Sequence, residues 1–176
     1  MHRFLSLALV LLSAGCVTAP IPPGMADSDE VRAIRAIVED VYTVVSGERG
    51  ADRPWDRLAQ HFLEGARLNL SRPTAEGSFV ARSFTPEEFI ENARRSSEQR
   101  AFHESPLVTR VLQFQGVAVA ISSYEARVGD VVEPSFRGVN TFQLVRTAEG
   151  WRIASIAWSD EDAVVKLPPG WDRREH

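Results

Sequence analysis

Glu104 is the residue whose setting most invites chemistry. It falls in Phe102–Phe114, a stretch whose alternation predicts a β-strand, and shares parity there with Phe102, Val108, Leu112 and Phe114. A carboxylate on an apolar face is costly unless it is paired or hydrogen-bonded. Two readings follow: a functional acid, or one half of an ion pair with Arg127 or Arg137 from later strands. As a general base, Glu104 needs a second group to hold the developing oxyanion. Tyr124 offers a hydroxyl for that task and Asn140 an amide; otherwise Tyr124 is a core or interface aromatic. On the competing reading, Asn140 is a buried amide pinning a neighbouring strand or loop. Trp158 either lines a pocket mouth or packs on the first helix. His103 points away from Glu104, towards solvent.

Other chemistries find less support. The histidines downstream of the leader, His61, His103 and His176, lack the spacing of ligands to one metal, so no metal and no cofactor is expected. No G-x-S-x-G elbow or glycine-rich phosphate loop occurs. A net charge of −4 without a Lys/Arg cluster argues against nucleic acid as a partner. The lone cysteine, Cys16, rules out an internal disulfide framework.

The elements that must position these side chains are legible from period. Apolar residues at Val31, Ile34, Ile37, Val38, Val41, Tyr42 and Val45 predict an amphipathic helix capped by Ser28 or Asp29 and stopped at Gly47. Trp55, Leu58, Phe62 and Leu63 predict a shorter helix entered at Pro54, and residues 66–70 a strand before a polar turn. Thr85-Pro86-Glu87-Glu88 is a helix start, with inward residues Phe89, Ile90 and Ala93 and fraying from Arg94. The period then becomes two, predicting strands at 102–114, 117–128, 136–146 and 151–158 joined as an antiparallel meander. Three helices and then mostly strands define an α+β domain with helices on one face of a curved sheet. Along the third of those strands, Phe136, Gly138, Asn140, Phe142 and Leu144 share the face expected to lie inside.

The leader reads as an address. Met1-His2-Arg3, an apolar run Phe4–Leu12 and Ser13-Ala14-Gly15 predict a signal peptide over residues 1–15, too short to span a bilayer. Ser13-Ala14-Gly15-Cys16 resembles the lipobox of bacterial lipoproteins, with Ser13 where leucine is usual. The resemblance implies lipidation of Cys16; the alternative is an ordinary cleaved signal. Residues 16–28 are then a proline-rich tether, 29–162 the domain and 163–176 a C-terminal tail. The expected location is the bacterial cell envelope, as an outer-membrane lipoprotein facing the periplasm.

The strand residues Phe102-His103-Glu104, Ser122-Ser123-Tyr124-Glu125, Arg137-Gly138-Val139-Asn140 with Gln143-Leu144, and Gly150-Trp151-Arg152-Ile153 resemble a secreted bacterial branch of the NTF2-like superfamily. Trp158 and Glu161 fill that branch's closing Trp and acid. The likeness spans about residues 29–162 and implies the NTF2-like cone, related to SnoaL-like cyclases and ketosteroid isomerases. It also implies a pocket between the concave sheet face and the helices, with Phe62, Glu104, Tyr124, Asn140 and Trp158 as lining candidates. The expected role is binding a small hydrophobic molecule, or an accessory module. The alternatives are an isomerase or cyclase using Glu104 with Tyr124, and an envelope interaction module. As in many relatives, a homodimer through the outer sheet face is expected.

Overall fold

The structure is a computed structural model and describes residues 28–74 and 76–174. The expected signal peptide, lipidated Cys16 and tether up to residue 27 fall outside the described residues. Helix α1 (Asp29–Val45) opens on Ser28, whose hydroxyl accepts from the Val31 N–H, and ends at Ser46. Its buried stripe includes Val31, Ile34, Val38 and Tyr42. Helix α2 (Trp55–Gln60) is shorter than its apolar spacing predicts, because Phe62 and Leu63 already belong to strand β1 (Phe62–Pro73). Strand β2 (Phe79–Phe84) was not foreseen; exposed along most of its length, it lacks alternating burial.

Helix α3 (Pro86–Gln99) begins with a complete capping box. The Thr85 hydroxyl accepts from Glu88 N–H while the Glu88 carboxylate accepts from Thr85 N–H at 2.8 Å. The helix runs on to Gln99 instead of fraying at Arg94. Strands β3 (Phe102–Phe114), β4 (Val117–Val128), β5 (Phe136–Thr147) and β6 (Gly150–Asp160) then form the antiparallel meander. The six-stranded sheet has the order β2-β1-β6-β5-β4-β3, with β1 joined to β6 in parallel.

The core lies between α1 and the concave face, where Ile34 and Val38 meet Ala120, Phe142, Leu144 and Ile153. A bulge between Pro106 and Val108 reverses the parity of β3. Glu104 and Phe102 therefore stay inside, whereas Leu112 and Phe114 turn outward, 67% and 68% exposed. Their expected place on the face of Glu104 is thus corrected: strict alternation cannot register one extra residue.

The outer face carries a second layer. Trp171 lies 5.6 Å below the Arg110 guanidinium, Arg137 donates to the Asp172 carbonyl, and Arg174 pairs with Glu125. Residues 167–174 therefore cross the middle of that face, where Val108 and Ser123 are buried.

Candidate functional site

A cavity of about 230 Å³ opens between α1, α3 and the concave sheet, and all five lining candidates meet there: Phe62, Glu104, Tyr124, Asn140 and Trp158. Each is delivered by a different element. Phe62 opens β1, and Glu104 precedes the bulge of β3. Tyr124 and Asn140 lie on the inward faces of β4 and β5. Trp158 sits on β6 and meets the Phe89 ring of α3 edge-on, centroids 6.1 Å apart. Its packing partner is thus α3 rather than the first helix.

Six of the polar side chains form two linked groups. Asn140 donates through Nδ2 to the Tyr42 hydroxyl at 3.1 Å and to Glu104 Oε1 at 3.3 Å. It therefore ties α1 to the sheet and holds the acid as well. The Tyr124 hydroxyl donates to Asp160 Oδ1 at 2.6 Å, and Asp160 Oδ2 takes Arg72 at 3.1 Å. Gly138 makes this possible. A Cβ there would stand 2.4 Å from the Ser159 carbonyl and 2.6 Å from the Tyr124 hydroxyl.

Neither expected ion-pair partner reaches Glu104. Arg137 turns to Glu161 at 3.3 Å, and Arg127 forms no pair with it; Arg127 of β4 and Arg137 of β5 alternate with the inward-facing Ala126 and Gly138, so both leave the sheet on the face opposite the acid. Burial, only partly offset by the Asn140 hydrogen bond, pushes the Glu104 carboxyl up to about 7, and the nearby Asp160 charge adds to the rise. Burial also raises Tyr42 and Tyr124, so both hydroxyls stay protonated. His103 is not simply solvated: it is half-buried and lies 3.3 Å from Glu48.

Sequence reasoning missed Tyr42, Arg72 and Asp160 as site residues. Tyr42 was present only as one member of the helical stripe. Asp160 shares parity with Ile156 and Trp158, which was a usable signal, but the strand was expected to stop at Trp158. Among the described residues no cluster of His, Cys, Asp and Glu could hold a metal ion.

The architecture is shared by solved structures. A cystatin-like protein of unknown function from Nostoc punctiforme aligns with a TM-score of 0.59 at 9% identity, over 79% of this chain and 97% of its own. A member of the NTF2-like family from Streptomyces avermitilis aligns at 0.54 and 15% identity, over 76% of this chain and 96% of its own. A conserved protein from Planctomyces limnophilus gives 0.56 at 18% identity, over 74% and 94%. No family model matches the sequence, and no curated protein does. The chain is thus an α+β protein with the NTF2-like, or cystatin-like, cone fold. At such identities the likeness carries the fold and leaves the activity to the site itself.

Proposed function

We propose that this domain binds a small, mainly hydrophobic molecule inside the cone. The observation that carries the reading is a cavity of about 230 Å³ walled mainly by apolar and aromatic side chains, with a few polar groups, Glu104, Asn140 and Tyr124 among them, placed to hydrogen-bond. Such a site orients a ligand by one polar head and holds it by its apolar body. The volume suits a compact ligand, since it equals about eight waters' share of liquid.

A binding measurement with phenethyl alcohol tests this. Ala93 lines the cavity from α3, so Ala93→Phe should fill the space and abolish saturable binding while the protein still unfolds cooperatively. Equal binding by wild type and Ala93→Phe would place the ligand elsewhere and refute the reading.

One observation favours a second reading, an isomerase or cyclase. Burial pushes the Glu104 carboxyl up to about 7, the range in which a general base is most effective. Tyr124 would first have to release Asp160 to serve a substrate oxygen. Loss of turnover in Glu104→Gln with binding retained would support the enzyme; intact turnover would exclude Glu104 as its base.

For location, the leader supports export and a lipid anchor at Cys16, with the domain held at the envelope membrane by the tether. Among the described residues no helix is long and apolar enough to cross a membrane. Palmitate-analogue labelling should mark wild type and not Cys16→Ala; equal labelling would sink the anchor. The apolar strip of Leu112, Phe114, Val117, Val119 and Ile121 left open on the outer face supports a homodimer. A monomer mass by light scattering at high concentration would end that proposal.

A further inference from the structure

Every charged group around the cavity except Glu104 has a partner of opposite sign or a set of dipoles. Arg72, from β1, is held by Asp160 of β6. Arg53, in the link between α1 and α2, donates to the carbonyls of Val45 and Gly47 at the C-terminal end of α1 and lies 5.7 Å over Trp55. Glu104 has only the Asn140 amide. Tyr42 of α1 and Tyr124 of β4 face it as neutral hydroxyls, and α3 contributes Phe89, Ala93, Ser96 and Ser97 without a charge. No cation touches Glu104, so on ionising it becomes an anion without a counterion in contact.

We propose that the ligand is a protonated amine with an aromatic or alkyl body, its ammonium group against Glu104 and its body among the cavity's rings. This rests on the cavity being a binding site and names the class of molecule it takes. Phe62, Phe89, Phe102, Phe136, Phe142 and Trp158 line the space. Aromatic faces carry negative potential, so a wall of rings attracts an organic cation as well as sheltering its carbon skeleton. An ammonium group supplies the positive charge that Glu104 lacks. A carboxylate ligand would instead meet Glu104, while the two arginines that line the cavity are engaged, Arg72 by Asp160 and Arg53 by backbone carbonyls.

The proton that Glu104 must lose has a way out. Tyr42 and Glu104 line both this cavity and an outer polar hollow bordered by Glu39, Ser46, His103 and Arg127. Binding is thus an exchange: the protonated carboxyl releases its proton to water in the hollow, and the ammonium pairs with the carboxylate. No covalent bond forms or breaks except that O–H bond. Amine affinity rises with pH, because proton and amine compete for one carboxylate.

Calorimetry with phenethylamine and phenethyl alcohol at about pH 6 and about pH 8 tests the exchange. With the Glu104 carboxyl titrating at about 7, phenethylamine should bind about tenfold tighter at the higher pH, and the alcohol should gain nothing. Glu104→Gln, checked for cooperative unfolding, should lose both the amine preference over the alcohol and its pH dependence, whereas Ala93→Phe should lose both probes together. Alcohol binding in wild type without a pH-dependent amine preference would overturn the amine and leave the pocket standing. An amine preference that survives in Glu104→Gln would also overturn it. Binding of neither probe would remove the pocket reading and the amine together.

Discussion

Glu104→Gln should make the protein more stable at alkaline pH while changing little in mild acid. The carboxyl has an ordinary value of 4.5 and is raised to about 7 in the folded chain. A folded-state value above the unfolded one means that the native state holds a proton the unfolded chain gives up. The stabilisation from that proton is complete below about pH 4.5 and disappears as pH climbs to about 7. At 1.36 kcal/mol per unit, the interval amounts to about 3 kcal/mol. Glutamine keeps the shape and the hydrogen-bonding capacity of the neutral acid, and it does not titrate. Urea unfolding of both proteins at about pH 5 and about pH 8 should therefore show the difference between them shifting by about 3 kcal/mol in favour of the variant. For a domain of this size that is roughly 10 °C in Tm. A constant difference between the two pH values would refute the reasoning, because it would mean that Glu104 titrates alike in both states.

Two further substitutions test the scaffold behind the site. Gly138→Ala should cost about 3 kcal/mol in urea unfolding, because its Cβ meets the Ser159 carbonyl, a backbone atom that cannot rotate away; a loss under about 0.5 kcal/mol would show that β5 and β6 separate easily. Thr85→Ala should cost about 1 kcal/mol by removing the acceptor for Glu88 N–H. Since α3 carries Phe89 and Ala93 into the cavity wall, amide exchange in its first turn should also quicken. Unchanged exchange there would mean that packing, not the cap, holds that end of the helix.

The long elements were legible because their signals are local. The stripe from Val31 to Val45, the Thr85–Glu88 cap and the period-two runs each depend on neighbours within a few residues. Strand β2 was hidden because most of its residues are exposed and show no alternation of burial. The parallel join of β1 to β6 brings together segments some ninety residues apart, beyond the reach of any local pattern. Among site residues, Asn140 could be placed by parity on β5, which pairs with β4 without interruption.

What the sequence determined by itself was the α+β class, the inward face of β5, and the anomaly of an acid among apolar neighbours. Only the tertiary structure decided what that acid means. The bulge after Pro106 kept Glu104 inside while sending Leu112 and Phe114 out. The turn of Arg137 to Glu161 left it without a cation, and the approach of Tyr42 and Asn140 gave it hydrogen-bonding company without charge. The physical reason is that a carboxyl's protonation depends on burial and on charges within a few ångströms. Those neighbours, Tyr42, Tyr124, Asn140 and Asp160, come from a helix and three other strands, and they exist as a set only once the chain has folded.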